Sequence, residues 1–200
     1  MLLQRSYLFE TPVKILSNRL PTKPMDSERS AVAPPAPWYS AYPAPRSDTP
    51  NKITSGEVLE LLNGVDVSGA QDFVLIDVRR NDYEGGSIRG SINIPAQSFY
   101  TTIPSWYALF KAAGVKRAIW YCNSSRGRGT RSALWFQDYI DDNNDAELKT
   151  MILVDGIKGW ATSGDEYVER MDEYVEGYWK SKIGTAQIEI VDKKEYFCVD

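Results

Sequence analysis

Three short apolar runs restrict what this chain can fold into: Phe73-Val74-Leu75-Ile76, Ala118-Ile119-Trp120-Tyr121 and Met151-Ile152-Leu153-Val154. None alternates with polar residues, as a strand with one wet face would. Continuous apolarity over so few residues fits strands buried on both faces, the condition of a parallel sheet covered by helices. Helical patterns lie between the runs. Thr54-Ser55-Gly56-Glu57 is a capping box ahead of Val58 to Leu62. Ser105 to Ala113 repeats apolar residues at helical spacing and stops at Gly114, and Gly129 to Asp142 has an apolar face. Glu166 to Lys180 reads as an amphipathic helix carrying Tyr167, Met171, Tyr174, Val175 and Tyr178. Ile92 to Ile94 is a short strand stopped by Pro95, and Gln187 to Val191 a candidate edge strand. Strands and helices alternate, so the class is α/β: a mainly parallel central sheet with helices on both faces, three layers in all.

Nine of the eleven prolines fall in residues 1–50. Proline lacks an amide hydrogen and fixes φ, so this stretch forms neither a helix nor a central strand. Residues 1–50 are expected to be a mostly disordered leader, with Trp38 and Tyr42 pinned on the domain surface. A folded domain is expected over 52–180 and a tail over 181–200. The first 24 residues carry Arg5, Lys14, Arg19 and Lys23 against one acid, Glu10, a weak transit-peptide pattern that would target mitochondria. Met25 is an alternative start that would omit it.

Composition excludes several chemistries. The chain has 200 residues, a net charge of −4 and no histidine. Ser-His-Asp triads, Cys-His dyads and His-ligated zinc are therefore closed to it, and no metal site is expected. The charge disfavours a broad grip on nucleic acid. No apolar run approaches the length of a membrane span. The only cysteines, Cys122 and Cys198, are far apart, which suits a reducing compartment, cytoplasmic or nuclear.

Asp77, Cys122 and Asp155 each follow one of the apolar runs, so a parallel sheet would deliver them to one edge, where ligands bind in such folds. The segment Cys122-Asn123-Ser124-Ser125-Arg126-Gly127-Arg128 joins a buried strand to a helix with the spacing C-x5-R. Such a loop can turn successive N–H groups inward as an anion nest, and the helix behind it adds the positive end of its dipole. Arg128 would close the ring with a planar fork matched to two oxyanion oxygens. Helix N-termini and nearby arginines also favour a thiolate over a thiol. Cys122 is thus a candidate nucleophile in a receptor for phosphate or arsenate. The alternative is an ordinary strand-to-helix loop with a partly buried cysteine.

Two further motifs carry a resemblance. Leu75-Ile76-Asp77-Val78-Arg79, followed by Asp82 to Pro95 (DYEGGSIRGSINIP), resembles the opening motif of rhodanese-like domains, and Val154-Asp155-Gly156-Ile157-Lys158-Gly159-Trp160 their closing motif. The loop CNSSRGRGTR is most similar to that of the M-phase inducer dual-specificity phosphatases and the related fungal arsenate reductases. This resemblance implies a rhodanese-like three-layer fold over about 52–180, with Cys122 as nucleophile and Arg128 as oxyanion clamp. Asn123, Ser124, Ser125, Arg126 and Gly127 would supply the amide cradle. It also implies that loop length separates reactions: sulfurtransferases use six residues, the phosphatase and arsenate-reductase branch seven, as here. The expected activity is a cysteine-dependent protein tyrosine or dual-specificity phosphatase, or an arsenate reductase. Thiosulfate sulfur transfer and a non-catalytic module binding phosphorylated partners are the alternatives.

The chain departs from that pattern at four positions. Tyr121 stands where the phosphatases usually have His, and Gly127 where the cell-cycle phosphatases have an acid. Val78 replaces a protective second cysteine, and Ser87 replaces the His after the glycine pair. Asp77, Glu84 and Asp155 remain as acids; each is either a proton donor or a carboxylate that pairs an arginine or accepts loop amides. Arsenate asks less of a proton donor than a phosphate ester, because its leaving group is water or hydroxide. No cofactor is expected to be bound. Glutathione or a glutaredoxin would be the external reductant, with a phosphorylated protein or small oxyanion as substrate; a homodimer is compatible. Cys198 is a resolving thiol or, more simply, a bystander. Trp120, Trp135 and Trp160 read as packing residues. Trp38, Trp106 and Trp179 either line a shallow substrate face or pack against the leader. Arg126 and Arg131 either attract anions or are solvated.

Overall fold

The computed structural model describes residues 36–64 and 71–182. Gln187 to Val191 and Cys198 lie outside them. Five parallel strands form the central sheet: β1 (Lys52–Ile53), β2 (Phe73–Asp77), β4 (Ile92–Asn93), β5 (Arg117–Tyr121) and β6 (Lys149–Leu153), in the order β1-β6-β5-β2-β4. A separate antiparallel ribbon pairs β3 (Ser87–Ile88) with β7 (Met171–Asp172). The expected α/β class with a mainly parallel sheet is what the chain adopts.

Alternation along the strands divides the core in two. Ile76, Ala118, Trp120 and Ile152 face one side, with Phe99, Phe110, Trp135 and Phe136 from α2 (Ala96–Phe99), α3 (Ile103–Ala112) and α4 (Arg128–Asp142). Phe73, Leu75, Ile119, Tyr121 and Leu153 face the other, against Val58 and Leu59 of α1 (Ser55–Asn63) and Ile157 and Trp160 of α5 (Gly156–Ala161). Thr54 caps α1 as the sequence predicts: its hydroxyl accepts from the Glu57 amide, and the Glu57 carboxylate accepts from the Thr54 amide.

The long helix expected over Glu166–Lys180 is not formed. The stretch divides into α6 (Asp165–Val168), β7 and helical residues 176–182. Met171 and Asp172 take their backbone partners from β3, and Glu173 turns through a left-handed φ of 54°. The apolar residues reach the core separately: Tyr167 against Trp160, Met171 beside Ile88, and Trp179 fully buried. Backbone pairing with an open strand edge overrides a helical apolar stripe here. Trp179 is accordingly a core residue rather than part of a substrate face; its indole N–H donates to Gly85 O at 2.7 Å.

From Trp38 onward the Pro-rich stretch lies on α4, with Trp38 and Tyr42 packed against the domain. Tyr42 stacks on Tyr100 and meets Trp135 edge-on, Trp38 also meets Trp135, and the Trp135 indole donates to Pro43 O. Arg46 pairs with Asp138 and Asp142 on the same helix.

At the end of β2, Asp77 and Arg79 form an ion pair with neither side chain exposed (0% each). Nε of Arg79 reaches both carboxylate oxygens, at 3.1 and 2.9 Å, and Nη2 reaches Oδ2 at 2.7 Å. The same guanidinium donates to Glu84 O and Gly86 O at 2.8 and 2.7 Å. Removing one partner of such a pair strands the other charge in a dry site. Arg79→Leu is therefore expected to cost about 3–5 kcal/mol in urea unfolding; a loss under about 1 kcal/mol would show that the pair is dispensable.

Candidate active site

Cys122 follows β5 directly and is almost wholly buried, on the α4 side of the sheet. The loop from Cys122 to Gly127 then enters α4 at Arg128, so all seven predicted loop residues are contiguous at the carboxyl edge of the sheet. Its shape is set by backbone contacts. The amides of Ile157 and Lys158, in the first turn of α5, donate to Cys122 O and Asn123 O, both at 3.0 Å. In a trans peptide the N–H points opposite to the C=O. Capturing those carbonyls therefore turns the amides of Asn123 and Ser124 away from α5. Among the described residues, no backbone N–H from Asn123 to Gly127 has a hydrogen-bond partner.

Two glycines let the helices come this close. A Cβ on Gly156 would lie 2.3 Å from Cys122 O and 2.8 Å from Asn123 O, and its φ of +59° already disfavours other residues. A Cβ on Gly129 would lie 3.3 Å from the Cys122 nitrogen and 2.9 Å from Ile152 Cδ1. Ser125 completes the turn with a left-handed φ of 54°; its carbonyl accepts from Thr130 Oγ1, and its own buried hydroxyl has no partner. Gly127 caps α4 without a side-chain contact.

The guanidinium of Arg128 is engaged by a residue that the sequence reading did not single out. Nη1 donates to Asp82 Oδ1 at 2.6 Å and Nη2 to Oδ2 at 2.5 Å. The Arg128 guanidinium holds the Asp82 carboxyl well down, at about 2, and Asp82 raises Arg128 in turn, with smaller contributions from Cys122 and Asp77. Asp82 lies 46 positions from Arg128 in the chain. Its only sequence signal is an acid between the opening-motif arginine and the glycine pair.

The three acids named from the sequence fall elsewhere. Asp77 is sealed with Arg79; burial pushes its carboxyl up against the pull of that guanidinium. Glu84 is exposed, and only its carbonyl is used, by Arg79. Asp155 is exposed at a left-handed φ of 57° and caps α5 without a side-chain bond. It lines, with Lys52, Ser124, Ser125 and Arg126, a groove of about 360 Å³ whose lining does not include Cys122 or Arg128. Tyr121, in the place of the family's usual His, turns to the opposite side of the sheet. Its hydroxyl donates to Ser91 Oγ at 2.7 Å and accepts from the Ile88 amide, and burial raises it well above its ordinary value. Arg131 covers the ring of Tyr39 at 3.5 Å, and Arg126 is exposed. Among the described residues no group of His, Cys, Asp and Glu side chains could hold a metal ion, and no helix is long and apolar enough to cross a membrane.

Two measurements check this geometry. Gly156→Ala forces a methyl into the carbonyls that α5 holds; it is expected to cost about 1–3 kcal/mol and to change the alkylation rate of Cys122. An unchanged rate and stability would mean that α5 does not shape the loop. The Asp82 carboxyl, followed by NMR, is expected to titrate near 2. Because its folded value is depressed, the pair's stabilisation is complete above the unfolded value of about 3.9 and is lost as pH falls toward about 2. The pair is partly exposed, so that stabilisation amounts to no more than about 1 kcal/mol. Arg128→Ala should return Asp82 to the ordinary range.

Residues 54–163 match the rhodanese-like domain family. The arsenical-resistance protein 2 of Saccharomyces cerevisiae is 25% identical over 108 residues, which cover 50% of this chain and 83% of that protein. Two solved structures of yeast Ygr203w are each 20% identical. One is titled a protein tyrosine phosphatase of the rhodanese family, with a TM-score of 0.50 over 64% of this chain and 96% of its own. The other is titled a homolog of single-domain rhodanese and the Cdc25 phosphatase catalytic domain, with a TM-score of 0.51 over 66% and 97%. With its opening and closing motifs, its parallel sheet and a family match over more than half its length, the chain belongs to the rhodanese-like domain family.

Proposed function

We propose that Cys122 is the nucleophile and Arg128 the anion clamp of a cysteine-dependent enzyme acting on tetrahedral oxyanions, and that arsenate is the substrate the site suits best. The observation that carries the reading is the seven-residue loop, whose amides from Asn123 to Gly127 are unpaired at the N-terminus of the 15-residue helix α4. Unpaired amides, a helix dipole and a guanidinium form an electrostatic receptor for charge that develops during attack on the central atom.

The choice between arsenate and a phosphate ester turns on a proton donor. An ester's leaving group must be protonated as it departs. Asp82 is ionised at neutral pH, Asp77 is enclosed by Arg79, and the Tyr121 proton is held by Ser91 on the other face of the sheet. Glu84 and Asp155 are exposed and make no side-chain hydrogen bond to the loop among the described residues. Arsenate releases one oxygen as water, which solvent can protonate. The Cys122 thiolate would attack As(V), form the S–As bond and expel that water. A second thiolate then attacks the Cys122 sulfur; the S–S bond forms as the S–As bond breaks, and the electron pair of that bond leaves with arsenic as arsenite. Overall, one arsenate and two thiols give one arsenite, one disulfide and one water, so arsenic gains the two electrons that the thiols lose.

Cys122 is the only cysteine among the described residues. The second thiol is assigned to glutathione or a glutaredoxin, in a reducing compartment such as the cytosol. The name of the yeast relative, an arsenical-resistance protein, agrees with this assignment. Hydrolysis of phosphorylated protein is the second reading, since the same loop length suits phosphate.

The test is a panel on the purified chain: arsenate reduction with glutathione and glutaredoxin, p-nitrophenyl phosphate hydrolysis, and thiosulfate-to-cyanide transfer. Arsenate reduction is expected to exceed the other two. Cys122→Ser should abolish it, and Arg128→Ala should lower kcat/KM about 10²–10³-fold. Reduction that survives in Cys122→Ser, or thiocyanate as the main product, would defeat the proposal.

A further inference from the structure

Arg128 is the guanidinium that the proposed chemistry needs on the oxyanion, yet both of its terminal nitrogens are already taken by Asp82. A carboxylate offers two oxygens in one plane, and so does one edge of a tetrahedral oxyanion. Asp82 thus meets the fork as a substrate would. We propose that Asp82 is a specificity-determining gate: it occupies Arg128 in the free protein and yields to doubly charged oxyanions but not to singly charged ones. This inference rests on the reading of the Cys122–Arg128 loop as an oxyanion site.

Two neighbouring ion pairs show why one can open and the other cannot. In the Asp77–Arg79 pair both side chains are 0% exposed, and the guanidinium is also tied to two carbonyls. In the Arg128–Asp82 pair the side chains are 25% and 40% exposed. Water therefore reaches the latter, and exchanging one partner leaves no dry, bare charge. Only side chains have to move. Asp82 sits in a turn fixed by Arg79, through Glu84 O and Gly86 O, and by Trp179, through Gly85 O. Arg128 is in the first turn of α4, whose backbone is held against β5.

The selectivity follows from charge and connectivity. Asp82 is tethered to the domain, so it competes at a high effective concentration. An untethered monoanion pairs with Arg128 no more strongly than Asp82 does and loses that competition. A dianion has twice the charge, and it can use the unpaired loop amides that Asp82 does not occupy.

The experiment compares wild type with Asp82→Asn and Asp82→Ala, each with and without Arg128→Ala. Inorganic phosphate at pH 8, where it is mainly a dianion, and acetate are the probes. Dissociation constants are read by calorimetry and by protection of Cys122 from iodoacetamide. Both Asp82 variants are expected to bind phosphate about fivefold more tightly, the effect of removing a competitor worth about 1 kcal/mol. They should also gain acetate binding that wild type lacks, and Arg128→Ala should erase both differences. Phosphate bound equally or less tightly by the variants would overturn the gate, as would an unchanged preference for phosphate over acetate. Phosphate bound by none of the proteins would overturn it too, because an emptied fork would then hold no anion. Binding is read without turnover, so an inactive wild type would count against the reaction proposed above while the gate is still decided by these constants.

Discussion

A guanidinium enclosed by protein must find acceptors for all its N–H groups, because water cannot reach them. Arg79 meets that demand with the Asp77 carboxylate and the carbonyls of Glu84 and Gly86, and the turn between β2 and β3 is wrapped around it as a result. That turn carries Asp82 to Arg128 and presents Gly85 O to the indole of Trp179. The Asp77–Arg79 pair is thus the pivot between the sheet, the last described helical segment and the guanidinium at the start of α4. It explains why the opening motif ends in a carboxylate and an arginine that never touch the loop.

The loop itself is built from main chain. Carbonyls of Cys122 and Asn123 are consumed by α5, Gly156 admits α5 to a distance at which a Cβ would collide with those carbonyls, and Gly129 lets α4 pass close to the Cys122 nitrogen. The unpaired amides are the residue of that arrangement: carbonyls face a neighbouring helix, and the opposite edge of the same peptides stays open. Polar groups left unpaired near a protein interior are costly and gather at functional sites. The closing motif is therefore part of the site although none of its side chains is assigned a chemical step.

Packing beyond the family match also bears on the site. Residues 171–179 close the side of the sheet that carries Tyr121 and brace the turn that holds Asp82. On the other side, the aromatic residues Trp38, Tyr39 and Tyr42 cover α4, and Tyr39 takes up Arg131. Both faces of the loop's two supporting elements, β5 and α4, are thereby covered by segments distant in sequence.

Much was legible in order of residues alone. Continuous apolar runs this short, without alternation and with helical patterns between them, fit strands covered on both faces, so the parallel sheet followed from Phe73–Ile76, Ala118–Tyr121 and Met151–Val154. The capping box placed α1, and glycine, serine and arginine between a buried strand and a helix marked the loop. These are local signals, fixed by periodicity and backbone preference. What tertiary structure alone decided are the pairings: Asp77 with Arg79 rather than with the loop, Asp82 on Arg128, and Met171 on a strand edge rather than within a helix. Each depends on which groups are brought within about 3 Å by the fold. A linear sequence records the charges and the apolar residues, but the competition among their partners is settled only when the chain has closed around them and excluded water.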